Sequence, residues 1–111
     1  MAGIPLLKLA KKYIPPFMEV FFSDLDIDIE EVDYVLPHQA SKLGLTLFKN
    51  MFDFKKGRVL ENLSKYGNCI SASVPLLFHE AFNNGKISSG NTCLLCGTSA
   101  GFSIGGVLIK I

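Results

Sequence analysis

Apolar residues recur at helical spacing from Ile4 to Phe22, where Leu6, Leu7, Leu9, Tyr13, Ile14, Phe17, Val20 and Phe21 form one broad face. Pro15-Pro16 interrupts that run. Neither proline has an N–H to donate, so a kink or a fresh helix start is expected there. Ser23 to Glu31 is acidic and polar-rich and reads as a connection. Val32 to Leu36 predicts a short strand that runs into Pro37-His38. The next helix sets Ala40, Leu43, Leu47, Phe48 and Met51 on one face, with Ser41, Lys42, Lys49 and Asn50 largely opposite.

Arg58 to Asn62 predicts a second strand, and Tyr66-Gly67-Asn68 a turn. Ser71 or Ser73 can cap a further helix with Pro75 in its first turn. That helix is expected to bury Val74, Leu77, Phe78 and Ala81 and to stop at Asn84-Gly85. Thr92 to Cys96 reads as a continuous apolar strand, as expected at a sheet centre. A glycine-containing turn then leads into Ser103 to Ile111, a last strand that can return antiparallel. The order helix, then strand–helix–strand–helix–strand–strand, predicts an α/β layer with a mostly parallel sheet and an antiparallel last strand. Residues 1–31 form an N-terminal helical segment with its acidic connection, and residues 32–111 the domain proper.

Composition narrows the function classes. A chain of 111 residues is one domain at most, and 49% hydrophobic residues with 19% charged exclude disorder. So low a charge fraction implies that some apolar surface belongs to an interface. The net charge of +1 gives no broad attraction to nucleic acid or to an anionic membrane. Lys8, Lys11 and Lys12 break the first apolar run, so it lacks the core of a signal peptide, and no run reaches a membrane-spanning length. Three cysteines do not build a disulfide framework and fit a reduced cytoplasmic setting.

Two metal-like patterns fail on their spacing. Asp24, Asp26 and Asp28 imitate the start of a calcium loop, but Ile29 stands where its turn glycine belongs and Val35 where its bidentate glutamate belongs. Cys93 and Cys96 have the CxxC spacing, yet a strand turns positions three apart to opposite faces.

Three polar turns follow the three strands: Pro37-His38-Gln39, Gly67-Asn68-Cys69 and Gly97-Thr98-Ser99-Ala100-Gly101. Ends of successive parallel strands share one edge, so His38 and Asn68 can be neighbours across thirty residues. A neutral histidine, a side-chain amide and backbone N–H groups meeting there would form an oxyanion-type site. A capping histidine and a turn asparagine, both common in such loops, fit the same pattern. His79 reads as a helix-surface residue.

The runs Asp33-Tyr34-Val35-Leu36-Pro37-His38-Gln39-Ala40, Tyr66-Gly67-Asn68 and Ser71-Ala72-Ser73-Val74-Pro75-Leu76 together resemble the C-terminal domain of the beta-ketoacyl-acyl-carrier-protein synthase III family. The likeness continues through Glu80-Ala81, Gly85-Lys86-Ile87 and Gly90 and ends on Gly97 to Gly105. It implies a thiolase-like fold of two similar halves with a Cys-His-Asn catalytic set, His38 and Asn68 standing for the last two. It also implies that acyl-CoA loads the cysteine and that malonyl-acyl-carrier protein then loses carbon dioxide. The carbanion attacks the acyl group, which is the initiating condensation of fatty-acid synthesis. Two fixed donors suit that step, because decarboxylation places negative charge on the thioester oxygen.

The resemblance puts the cysteine in the preceding half, and Cys69, Cys93 and Cys96 do not match it. This chain alone is therefore expected to be inactive. Ser99, Ala100 and Gly101 are expected at the second oxyanion, on the acyl-cysteine. Gln39, Ala40, Ser41, Lys42 and Leu43 are expected to dock the carrier protein, with Lys42 one position before the family's usual arginine. Thr98 and Ser99 replace the usual aromatic residue and glycine. The family implies no cofactor and no metal, and a cytoplasmic homodimer as the intact enzyme. Two rivals share the fold. One is a priming acyltransferase of secondary metabolism, which the Thr98-Ser99 loop favours. The other is a non-catalytic thiolase-like partner, which the presence of both His38 and Asn68 disfavours.

Overall fold

The structure, a computed structural model, describes residues 3–38, 41–52, 54, 57–67, 72–99 and 103–111. Helix α1 spans Gly3–Ser23 without a break and contains both prolines, so no fresh start occurs at residue 15 or 16. The carbonyls left without N–H partners are those four residues earlier, on Lys11 and Lys12, and both residues are exposed. Water can serve those carbonyls, which is why the helix tolerates the pair.

The buried seam of α1 is narrower than its sequence suggests. Ile14 and Met18 are buried, and Ala10, Phe17 and Phe21 pack beside them at helical spacing. Leu9, Tyr13 and Val20, expected on the inner face, are exposed instead. The side chains of Leu6 and Leu7 lie outside the described residues. Phe17 and Phe21 cover Gly106 of the sheet, where a Cβ would lie 3.6 and 3.5 Å from their rings. A short 3-10 turn, Ile29–Glu31, closes the acidic connection, and the Asp28 N–H donates to Glu31 Oε1 at 3.3 Å.

The sheet has three strands in the order β1-β2-β3, formed by Tyr34–Pro37, Thr92–Ser99 and Ser103–Lys110. β1 runs parallel to β2, from Tyr34↔Cys93 to Pro37↔Cys96. β3 returns antiparallel, from Ser99↔Ser103 to Thr92↔Lys110. The predicted strand at Arg58 to Asn62 is reduced to one parallel bridge, Val59 opposite Val35, with hydrogen bonds Val35 N to Arg58 O (2.8 Å) and Leu60 N to Val35 O (2.9 Å). The Arg58 guanidinium donates to the carbonyls of Glu30 and Val32, which ties the segment to the connection before β1.

β2 is longer than predicted. Gly97, Thr98 and Ser99, read above as a loop, are paired strand residues opposite Gly105, Ile104 and Ser103. Strand alternation separates two cores. Val35, Leu94 and Cys96 face α1 and α2 (Lys42–Met51), whereas Leu36 and Cys93 face α4 (Ser73–Asn83) with Leu77 and Ala81. Helices thus cover both faces, as a parallel pair requires. The two cysteines lie on opposite faces, which disposes of a CxxC pair.

In α2, Leu45 and Phe48 are buried, with Leu47 and Met51 beside them, while Leu43 is exposed rather than on the inner face. A short helix α3, Leu63–Tyr66, precedes Gly67. α4 buries the predicted face and ends at Asn84, where Gly85 takes φ +81° and the Lys86 and Ile87 N–H groups return to Ala81 O. Its N-cap is Ala72, without a side-chain hydrogen bond, in place of Ser73, while Ser71 lies outside the described residues. Among the described residues no helix is long and apolar enough to cross a membrane.

Candidate active site

β1 delivers His38 to the carboxyl edge of the sheet. The residue follows Pro37 directly, and its backbone N–H donates to Cys96 O at 2.8 Å. That bond sets His38 beside Gly97. A Cβ on Gly97 would lie 2.8 Å from His38 Cβ, closer than real Cβ contacts come. Gly97 is therefore required for the histidine to sit where it does, a role its turn-like sequence setting gives no sign of.

Partial burial lowers the His38 pKa below its ordinary value. The imidazole is then predominantly neutral at pH 7, with one N–H to donate. Because the folded pKa lies below the unfolded one, the unfolded chain takes up the proton first as pH falls. The His38 contribution to stability is thus whole above about pH 6.5 and declines as pH drops toward the lowered folded value. Replacement of His38 by glutamine should flatten that part of the pH–stability curve, which denaturant titration between pH 5 and 7 will read.

His38 opens onto an apolar cavity of about 250 Å³ between α1, α2 and the ends of β1 and β2. Its few polar neighbours are Ser41 and Thr98. Ser41 also caps α2, accepting the Gly44 N–H at 3.0 Å on its Oγ. Lys42 and Leu43 stand exposed on the first turn of α2. Ser99 is the last residue of β2. Of the remaining predicted site residues, Gln39, Ala40, Asn68, Ala100 and Gly101 lie outside the described residues.

The flanks of the Asn68 segment are described and tied together. Tyr66, at the end of α3, donates its hydroxyl to Glu80 Oε2 on α4 at 2.8 Å, and Lys65 Nζ reaches the same oxygen at 3.3 Å. The Tyr66 hydrogen bond, then Lys65, holds the Glu80 carboxyl below its usual range. His79 sits on the exposed face of α4, its Nε2 3.0 Å from Asn83 Nδ2, as a surface residue should.

The described thiols are held in the protonated form. Burial pushes Cys96, in the cavity wall, up to about 12, and burial with the Asp33 carboxylate also raises Cys93. Cys69 lies outside the described residues. Among the described residues no cluster of three His, Cys, Asp or Glu side chains could hold a metal ion.

Helices on both faces of a mixed sheet, with a histidine at the carboxyl edge beside an apolar cavity, make a layer of the thiolase-like kind. The sequence profile of the 3-oxoacyl-[acyl-carrier-protein] synthase III C-terminal family matches residues 22–111, and the chain belongs to that family. It is 38% identical over 110 residues to the beta-ketoacyl-[acyl-carrier-protein] synthase III of Synechococcus elongatus, covering 99% of this chain and 33% of that protein. The crystal structure of 3-oxoacyl-[acyl-carrier-protein] synthase III from Aquifex aeolicus superposes with a TM-score of 0.91 at 31% identity, covering all of this chain and 36% of that one. OleA of Xanthomonas campestris, at 22% identity, shares the fold with a TM-score of 0.94 over 100% of this chain and 32% of that one. The chain spans about a third of the length of the curated relatives it matches.

Proposed function

We propose that this chain supplies the malonyl-decarboxylating site of a beta-ketoacyl-acyl-carrier-protein synthase III, which condenses an acyl group from acyl-CoA with malonyl-acyl-carrier protein. The observation that carries the reading is the position of His38, held at the sheet edge by its backbone bond to Cys96 O and set close against Gly97, where burial lowers its pKa.

In this scheme His38 and Asn68 each donate an N–H to the malonyl thioester oxygen. The bond to the carboxylate breaks, carbon dioxide leaves, and its electron pair passes into an enolate whose charge the two donors hold. The enolate carbon attacks the acyl thioester on a cysteine of the companion half, and the thiolate departs. A neutral histidine suits this task, because its charge need not change along the path. The backbone of Ser99, Ala100 and Gly101 serves the oxyanion on the acyl thioester. Both steps run on thioester substrates and side-chain donors, so the scheme asks for no cofactor. We assign residues 32–111 to the condensing domain and read the intact enzyme as a cytoplasmic homodimer.

Purified enzyme containing this chain should release carbon dioxide from malonyl-acyl-carrier protein and form a 3-oxoacyl product when acyl-CoA is present. Failure of both reactions would sink the reading.

Carrier-protein docking is assigned to residues 39–43. Lys42 offers a point charge to phosphate or carboxylate, and Leu43 an apolar surface beside it. Both are exposed next to the cavity mouth at Ser41. Lys42→Glu is expected to raise KM for malonyl-acyl-carrier protein several-fold with kcat little changed. Equal KM values in the two proteins would remove Lys42 from the docking surface.

A further inference from the structure

Tyr66 and Glu80 stand on either side of Asn68 in sequence, and neither has a part in the scheme above. The segment that carries Asn68 is entered from α3, a single helical turn over Leu63–Tyr66. So short a helix does not persist unaided, because fixing its first turn costs more than the few hydrogen bonds return. Its backbone closes on itself, with the Lys65 and Tyr66 N–H groups on Asn62 O at 3.0 Å and the Gly67 N–H on Leu63 O at 2.7 Å. Side chains then tie it to α4. The Tyr66 hydroxyl donates to Glu80 Oε2 at 2.8 Å, and Lys65 Nζ reaches the same oxygen at 3.3 Å while lying 5.0 Å from the centre of the Tyr66 ring. Glu80 is well anchored. It stands beside Ala81, which is buried with Leu77 against Leu36 of β1, two residues before His38.

We propose that Tyr66 and Glu80 are positioning residues, a clasp across the Asn68 segment that sets the Asn68 amide relative to His38. The inference rests on the condensing reading above, because the amide needs a fixed place only if it serves the same oxygen as His38. Helix α4 is the common reference. It packs on the strand that delivers His38, and it carries the acceptor that holds the entry to Asn68. The bond from hydroxyl to carboxylate is charge-assisted and directional, whereas the exposed Lys65 ammonium adds a salt-screened attraction of small weight. Tyr66 is thus the member that fixes geometry, supporting a donor from behind.

The test uses the enzyme containing this chain and the variants Tyr66→Phe, Glu80→Ala, Glu80→Gln and Lys65→Ala. Tyr66→Phe and Glu80→Ala should each lower kcat for malonyl decarboxylation about ten-fold or more, since a slightly misplaced donor fails where charge develops. KM for malonyl-acyl-carrier protein and the rate of acyl loading should stay within about two-fold, because neither depends on that donor. Glu80→Gln keeps an oxygen that accepts the tyrosine hydroxyl and should recover most of the rate. Lys65→Ala should stay within about three-fold of the unaltered enzyme. Added to Asn68→Ala, Tyr66→Phe should cost no further rate, because the amide through which it acts is gone. Hydrogen exchange over residues 63–72 reads the clasp without turnover. It should quicken in Tyr66→Phe and Glu80→Ala and not in Glu80→Gln. Unchanged decarboxylation in Tyr66→Phe and Glu80→Ala would overturn the clasp, as would a full further loss when Tyr66→Phe is added to Asn68→Ala. Loss of loading in step with decarboxylation would also overturn it, leaving the pair a general stabiliser. Quickened exchange in an enzyme that decarboxylates no malonyl thioester would instead uphold the clasp and remove the condensing reading.

Discussion

Asn68→Ala is expected to lower malonyl decarboxylation roughly a hundred-fold or more while acyl loading from acyl-CoA stays within a few-fold. In the proposed scheme the amide, which has no proton to lose or gain near neutrality, is a fixed donor that gains strength as charge develops on the thioester oxygen. Loading builds its negative charge on a different oxygen and should not feel the loss. His38→Ala should act on the same step, and the double variant should lose much less than the product of the single effects if, as proposed, the two donors serve one oxygen. Carbon dioxide release and acyl-enzyme mass, measured separately on each variant, check the split. Equal damage to both steps would show that Asn68 shapes its turn and nothing more.

The other large effect is expected at Gly97. Alanine there would force a methyl group to 2.8 Å from His38 Cβ, and that atom is bonded to the backbone and cannot swing aside. The strand and the histidine must shift, at a cost of about 1–3 kcal/mol of stability. Decarboxylation should fall with the displaced imidazole by at least ten-fold. Gly105 is paired with Gly97 across the hairpin, yet an added Cβ there meets nothing within 4 Å. Gly105→Ala should stay within about 0.5 kcal/mol and keep its activity. Denaturant melts of the two variants side by side make the comparison. Equal stabilities would mean that the contact at His38 is relieved at no cost.

The chain's own chemistry makes much of this legible in the sequence. Hydrophobic spacing located α2, α4 and all three strands of the sheet, and Asn84-Gly85 marked the end of α4 because only a left-handed residue closes a helix that way. Strand alternation alone separated Cys93 from Cys96. Position after a strand, together with a family resemblance, singled out His38.

What stayed hidden depends on tertiary register. Gly97, Thr98 and Ser99 carry no apolar signal, so they read as a loop, and their strand character comes only from the ladder to β3. Leu43 and Leu45 are equally apolar in sequence. The start of α2 at the Ser41 cap fixes which of them turns inward. Pro15-Pro16 reads as a break because the sequence alone does not show that the affected carbonyls fall on exposed residues. The cavity could not be foreseen, since it exists only where α1 crosses the face of α2.

The parallel pairing of β1 with the central strand β2 also governs how the chain must assemble. β2 and β3 form a hairpin, the kind of local unit that closes in microseconds. β1 can join only after a long loop closes, because its anchoring contact, Asp33 to the Thr92 N–H, spans 59 residues. Val35 and Leu36, wholly buried in the finished fold, therefore emerge during synthesis well before the strand that shelters them. Until the hairpin arrives, β1 is a short apolar strand with open edges, the stretch of nascent chain most in need of protection from aggregation. Slow docking of β1 onto a fast hairpin is the folding order that this topology favours.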